Sequence, residues 1–238
     1  MITPSDLKVI EELTRKFWEQ QVKTEEFHGL FQGKEIGHRI ADYVDERTTA
    51  MLEKEFEVVH EVDSRGEKRA RSMGDVWIKS GGIYNPVNVK AGEAGKNGQP
   101  NMVSLTKLID AILSEEIDSY YLLIVKMELS IDKDNGRIIT PRVYLVDMLD
   151  YLNFITFDSG PGQSMLKEKQ FYDAFANGFQ PEALTLAQKL QKMIDLYEDG
   201  NRRLLENRQK KLDRIRAKVR AYALRDSHVV DQGGMRLG

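Results

Sequence analysis

Apolar positions in the N-terminal quarter of the chain recur three or four residues apart, which is the pattern of amphipathic helices. A first helix is predicted to begin at Ser5 as its N-cap. Its apolar face comprises Leu7, Ile10, Leu13 or Thr14, and Phe17 or Trp18. A second helix is predicted from about Glu35 to Glu55, with an apolar stripe of Ile36, Ile40, Tyr43 or Val44, and Met51.

Short apolar or alternating runs bounded by turn residues follow these helices, and they predict β-strands. The first run is "FEVVHEV", residues 56–62. The next two runs, at about Val76–Lys79 and Ile83–Lys90, are joined by Ser-Gly-Gly and predict a β-hairpin. This hairpin brings the start of its first strand beside the end of its second.

The middle of the chain returns to helix and then to strand. A glycine-rich loop precedes a predicted helix from about Met102 to Ile117. The run at 120–129 is apolar nearly throughout, which suits a strand buried on both faces, and a turn at 134–136 leads into another strand. The order of helix, three strands, helix and two strands predicts an α/β (α+β) fold with a mixed central sheet flanked by helices.

Length and composition favour a globular protein, because 238 residues with 41% apolar content can bury a large core. We predict that residues 1–180 form this core, that residues 181–226 form a basic helical region and that residues 227–238 form a loosely ordered tail. The sequence has neither a run of 18 apolar residues nor the pattern of a signal peptide. We therefore expect a cytoplasmic protein.

Charge is segregated along the chain. The net charge is −3, yet residues 202–225 contain ten Lys or Arg residues and two acidic residues. This segment either binds nucleic-acid phosphates or is a solvated helix with its apolar side packed on the core, and both interpretations can hold together. The apolar side consists of Leu205, Leu212, Ile215, Val219 and Tyr222.

The residue types present restrict the possible chemistry. The chain has no cysteine, which excludes disulfides, thiol nucleophiles and zinc–cysteine sites. Its four histidines lack ligand spacing, and it contains neither a G-x-S-x-G nor an H-E-x-x-H motif. A metal site must therefore use carboxylate, amide, carbonyl or imidazole groups.

The predicted hairpin carries the candidate site. Asp75 lies at its start, and Asn88 and Lys90 project from one face near its end because side chains alternate along a strand. Carboxylate, amide and the Val89 carbonyl are oxygen donors of the kind that Mg²⁺ prefers, while Lys90 can orient or deprotonate an attacking water. Such groups carry out metal-assisted phosphodiester hydrolysis. The alternative is a surface hairpin with an exposed acid and lysine.

The order and spacing of Asp75, the strand 88–90 and the loop 99–101 resemble the catalytic core of the PD-(D/E)XK nucleases. The resemblance covers about residues 35–175, and within the superfamily it is to type II restriction endonucleases of the blunt-cutting branch that contains HincII and EcoRV. It implies that Asp75 binds the metal and that Lys90 is the catalytic lysine.

The sequence departs from this family at Asn88, where Asp or Glu is usual. An amide oxygen ligates Mg²⁺ without contributing charge, so another acid is expected to complete the site. The candidates are Glu35 and Glu46, since family members often supply a glutamate from the preceding helix, and Glu93. Alternatively, Asn88 is an inactivating substitution.

The same resemblance implies which residues meet DNA. The loop 92–101 is expected beside the scissile phosphate, with amide side chains suited to base edges, and residues 153–167 resemble a second recognition region by position. The expected contacts are Lys96, Gln99, Asn101, Ser104, Asn153, Gln163 and Lys167. Ordinary turn chemistry is the competing explanation for these residues.

The function implied is that of a Mg²⁺-dependent type II restriction endonuclease that cuts both strands of DNA at a short palindromic site, leaving blunt ends. A homodimer is expected because two-fold symmetric dimers match palindromic DNA. A companion DNA methyltransferase is expected in the same cell. The alternatives are a repair or junction-resolving nuclease of the same fold, and a non-catalytic DNA-binding protein in which the neutral Asn88 marks lost activity.

Overall fold

The computed structural model describes residues 1–29, 36–60, 73–93, 101–132, 136–158, 160 and 162–233. Three helices form the N-terminal region: α1 (Pro4–Gln21), α2 (Glu25–Gly29) and α3 (Ile36–Glu55). Both predicted helices are therefore confirmed. The expected N-cap is wrong, because the side chain of Thr3 accepts the hydrogen bond from the Asp6 N–H at 3.2 Å and Pro4 occupies the first turn.

Eight strands are present in the described residues. They are β1 (Val58–Val59), β2 (Val76–Ser80), β3 (Ile83–Glu93), β4 (Asn101–Ser104), β5 (Tyr121–Asp132), β6 (Gly136–Asp147), β7 (Ile155–Asp158) and β8 (Gln163–Leu166). Five of them form a sheet in the order β1-β2-β3-β5-β6, in which only β3 and β5 are parallel neighbours. The predicted mixed sheet of an α/β fold is thus confirmed.

The hairpin β2–β3 forms as expected, with Val76 opposite Val87 and Ser80 opposite Ile83. Gly81 and Gly82 have φ angles of +59° and +83°, the left-handed region that a two-residue hairpin turn requires. By contrast, β1 covers only two of the described residues of the predicted strand 56–62, whose residues 61 and 62 lie outside the described part of the chain.

A second sheet of three strands, in the order β4-β8-β7, lies next to helix α4 (Leu105–Leu113). This helix is shorter than the predicted 102–117, because Met102 and Val103 belong to β4 and Ser104 caps the helix by accepting from the Lys107 N–H. Met102 lies three residues before Leu105, so it fitted the helical spacing although it belongs to a strand. The predicted helix therefore began too early.

The C-terminal part contains α5 (Glu168–Ala176) and the 48-residue helix α6 (Leu186–Gly233). Helix α6 extends into the segment that we expected to be a loosely ordered tail, while residues 234–238 lie outside the described part. The apolar residues of its second half were predicted as a possible packing face, but Leu205, Val219 and Tyr222 are 66%, 62% and 71% exposed. That packing prediction is wrong.

The five-stranded sheet is covered on both faces. One face carries Val76, Val87, Val89 and alternate residues of β5 and packs against apolar residues of α1 and α3. The other face carries Trp77, Leu122 and Ile124 and packs with residues of α4, α5, α6 and the small sheet. Within the described residues, no helix is both long and apolar enough to cross a membrane.

Candidate metal and phosphate site

The candidate site lies where β2 begins beside β3. β2 pairs with β3 only from Val76 onward, so among the described residues the last part of β3 pairs only with β5. Asp75 lies along the edge of β3 with which β2 no longer pairs. There its Oδ2 accepts a 2.8 Å hydrogen bond from the Val89 N–H. The N–H and C=O of one strand residue point the same way, so the Val89 carbonyl also faces Asp75.

Asn88 is the buried member of the site, with 4% exposure. Its side chain hydrogen-bonds the hydroxyl of Tyr120, whose pKa is raised mainly by burial and further by the negative charge of Asp75. That hydroxyl lies 2.9 Å from the carbonyl of Met73 and donates to it. The Asn88 Oδ1 atom is buried and has no hydrogen-bond partner among the described residues. A buried oxygen of this kind needs a ligand or water to recover its solvation.

Asp45 on α3 reaches the same place from the other face of the sheet. Burial raises the pKa of Asp45 to about 6, and repulsion from Asp75 adds to the shift, whereas Lys90 opposes it. The Oδ1 atom of Asp45 is also buried without a hydrogen-bond partner in the described part of the chain. Asp45 thus interacts electrostatically with Asp75 and Lys90, while Tyr120 connects Asp75 with Asn88.

Asp45 is the residue that the sequence prediction missed. Its neighbour Glu46 is exposed to solvent, while Glu35 and the side chain of Glu93 lie outside the described residues. Asp45 follows Val44, which is fully buried, so it sits at the border of the buried stripe of α3. The structure therefore favours Asp45 over Glu46 as the helix acid. The apolar pattern of α3 would have indicated Asp45 if Val44, and not Tyr43, had been taken as the buried position.

His60 links the two elements that supply the acids. Its Nε2 lies 2.6 Å from Glu53 Oε1 near the end of α3, and its Nδ1 lies 3.1 Å from the backbone oxygen of Asp75. This bridge holds the chain at Asp75 against the helix that carries Asp45. No motif in the sequence pointed to it, because His60 is a single histidine in a charged stretch.

Gly74 permits the close approach of the two strands. A Cβ atom at this position would lie 2.7 Å from the Val76 carbonyl oxygen and 3.0 Å from the Val87 nitrogen. Any side chain here would push the backbone of Asp75 away from β3. Glycine is therefore required next to the acid for packing and not for an unusual φ angle.

The donors at the site fit Mg²⁺ in chemical type. Among the described residues, no three Asp, Glu or His side chains lie together as a metal cluster. The oxygen set consists instead of Asp45, Asp75, the orphaned Asn88 Oδ1 and the Val89 carbonyl. Two carboxylates with neutral oxygens match a hard divalent cation that retains several waters.

The structure brings three of the expected DNA contacts into the small sheet. Asn101 is exposed at the start of β4, opposite Met165, and Ser104 lies opposite Gln163 of β8. The Ser104 hydroxyl already caps α4, so its local structural role is accounted for. Asn101 and Gln163 thus share one three-stranded surface, although sequence reasoning assigned them to separate regions.

Asn153 and Lys167 lie elsewhere, on a cavity of about 320 Å³ beside α6. Its lining also includes Lys192, Asp195 and Asp199. The Lys192 Nζ lies 3.5 Å from the Asn153 side-chain oxygen. These two expected contacts are therefore grouped together but apart from Asn101. Lys96 and Gln99 fall outside the described residues.

No family model matches the sequence, and no curated protein gives a significant match. The geometry of the site is therefore the basis for assigning a function.

Proposed function

We propose that this protein is a Mg²⁺-dependent endonuclease that hydrolyses phosphodiester bonds of double-stranded DNA. The observation that supports this proposal is the electrostatic interaction of Asp45 with Asp75 and Lys90, next to the unpartnered oxygen of Asn88 on the same strand as Lys90. Burial raises the pKa of Asp45, repulsion from Asp75 raises it further, and Lys90 only partly opposes the shift. A divalent cation would supply the missing positive charge.

Asp45, Asp75, the Asn88 amide oxygen and the Val89 carbonyl are the groups that would hold Mg²⁺. When bound, the ion supplies electrostatic stabilisation as negative charge develops on the phosphodiester in the transition state. The Val89 N–H fixes one oxygen of Asp75 and leaves the other for a ligand. Tyr120 fixes the Asn88 side chain, so that its oxygen needs no reorientation.

Lys90 lies on the same strand face as Asn88, two residues along β3. It is partly exposed, so its ammonium group can reach a substrate phosphate at the surface. There it would donate hydrogen bonds to the attacking water or to a phosphate oxygen. Positioning of this kind is the main contribution that a protein makes to phosphoryl transfer.

The finer proposal is a type II restriction endonuclease that acts as a homodimer at a palindromic site and leaves blunt ends. Its support is the order of α3, β1–β3, α4 and β5 around the acids and lysine, which is the order that the PD-(D/E)XK resemblance implies. A repair or junction-resolving nuclease would use the same site without sequence preference.

Plasmid cleavage tests the proposal. The protein should convert supercoiled DNA to discrete linear fragments in Mg²⁺, and Asp75→Ala should abolish cleavage while preserving DNA binding. Smears or structure-dependent nicking would indicate the repair-type alternative. Full activity of Asp75→Ala would refute the site. Binding without cleavage by the parent protein would favour the non-catalytic DNA-binding alternative.

A further inference from the structure

Helix α6 leaves the body of the protein before the middle of its length. At Gly200 the helix packs so closely on β7 that a Cβ atom would lie 2.5 Å from the Phe157 ring. Three residues later, the Nη2 of Arg203 donates to the Thr156 hydroxyl at 3.1 Å. From residue 205 to residue 224 every side chain is exposed. We call residues 205–224 the basic arm.

The arm and its root carry a charge opposite to that of the rest of the protein. Residues 202–225 have a net charge of +8, from ten basic and two acidic residues. Because the whole chain has a net charge of −3, the remaining residues carry a net −11. A body this acidic repels a polyanion such as DNA, and the acids of the candidate site add to that repulsion.

Most cations of the arm are available to a partner. Arg216 pairs with Asp213 within the helix. Within the described structure, six others make no salt bridge: Arg208, Lys210, Lys211, Arg214, Lys218 and Arg220. Lys211, Arg214 and Lys218 are spaced by three and four residues, so they project from one side of the helix over two turns.

We infer that the basic arm binds the phosphate backbone of duplex DNA and supplies the electrostatic attraction that the acidic body lacks. The choice of DNA as the polyanion rests on the proposed function. Contacts with phosphates carry no sequence information, so the arm would strengthen binding to every duplex equally.

The apolar side of the arm offers a competing occupant, a second copy of this chain. Leu212, Ile215, Val219 and Tyr222 follow the three-four spacing of a coiled-coil seam. In a parallel pair, however, Lys211 of each copy would face Arg216 of the other across the seam, and like charges oppose such pairing. A polyanion meets no such repulsion, so charge complementarity favours DNA.

The test is a duplex-binding titration without divalent metal, in which no cleavage occurs. The probe is a 30-base-pair duplex of arbitrary sequence, and the dissociation constant is measured from 50 to 200 mM NaCl. The variant replaces Lys211, Arg214 and Lys218 by Gln. The control replaces three exposed cations of α1, Lys8, Arg15 and Lys16, by Gln, which changes the net charge equally.

The arm variant should bind at least about tenfold more weakly at 100 mM salt, and its log–log salt slope should be shallower by about 2 to 3. The control should change the slope by less than about one. Equal effects of the two triple variants, an unchanged slope or no binding by the parent would each overturn the inference.

If the slope is unchanged while Ile215→Asp converts a dimer to monomers in sedimentation, the arm belongs to a second copy. Parent cleavage in Mg²⁺ is scored separately, so loss of the arm inference leaves the proposed nuclease intact.

Discussion

Asp45 on α3 and Asp75 before β2 repel each other, and this repulsion adds to burial in raising the pKa of Asp45 to about 6. If both acids ligate Mg²⁺, Asp45→Asn should lower the cleavage rate by at least about 10²-fold and weaken Mg²⁺ binding in calorimetry. The matched control is Glu46→Gln, an exposed acid one residue away, which should cleave at the parent rate. Parent-like activity of Asp45→Asn combined with loss in Glu46→Gln would restore the original assignment.

Lys90→Ala should reduce the cleavage rate by at least about 10²-fold while leaving the thermal unfolding midpoint unchanged. The reason is that Lys90 is partly exposed and contributes a positioned charge instead of packing. Lys79→Ala is the control, since Lys79 lies near the turn of the same hairpin, away from Lys90. Its Nζ pairs with Glu57 Oε1 at 2.8 Å. Equal rates for Lys90→Ala and the parent would make Lys90 an ordinary surface residue.

Asn88→Asp tests whether asparagine is the working residue. With Asp45 beside Asp75, a third carboxylate would raise the pKa values of its neighbours and would lose the amide that holds the Tyr120 hydroxyl. Cleavage should therefore stay level or fall across a Mg²⁺ titration. A large gain at every Mg²⁺ concentration would show that Asn88 is an inactivating substitution.

Glu168→Gln should lower the free energy of unfolding by about 3 kcal/mol, because it leaves a buried lysine without its counter-charge. Lys126 Nζ lies 2.5 Å from Glu168 Oε1, and the two side chains are 6% and 5% exposed. Urea denaturation provides the measurement. Replacing both residues by Met should recover most of the loss, whereas Asp173→Asn in the exposed Lys169 pair should cost less than about 0.5 kcal/mol.

Asp147 should make stability fall as the pH rises from 4 to 7. Burial raises its pKa to about 6, despite hydrogen bonds from the N–H groups of Leu149 and Tyr120. Since the folded pKa exceeds the ordinary value, the contribution to stability is complete below pH 4 and is lost through pH 6.

Asp147→Asn keeps an acceptor oxygen and removes this loss. Relative to the parent, it should therefore gain about 1–2 kcal/mol between pH 4.5 and 7.5, less than two full pKa units would give because Asp147 keeps some exposure. An equal difference at both pH values would contradict the assignment.

The sequence predicted the hairpin and its three polar residues because strand alternation and a two-glycine turn leave little freedom in register. The sequence could not decide which acid of α3 faces the site. Moving the assumed apolar stripe by one residue rotates the predicted buried face by about 100° around the helix axis. The stripe of α3 contains Thr48, which is fully buried and whose hydroxyl accepts from the Trp18 ring N–H at 3.0 Å. A polar core position of this kind is invisible to a hydrophobic pattern.

The small sheet was missed for a related reason. β4 contains two apolar residues directly before a helix, so its signal merged with the helical period, and β7 and β8 are only four residues long. Strand pairing between Ser104 and Gln163 joins positions that are far apart in the chain. Local sequence carries no record of such pairing.

The close contact at Gly74 has a consequence for how this site can be lost. Four residues contribute to the site through their side chains: Asp45, Asp75, Asn88 and Lys90. Gly74 contributes through the main chain instead, because even a single methyl group at this position would collide with the Val76 carbonyl. A substitution of Gly74 would therefore disturb the site while all four polar residues remain intact. A sequence motif for such a site should therefore include the glycine that precedes the acid, here Gly74 before Asp75.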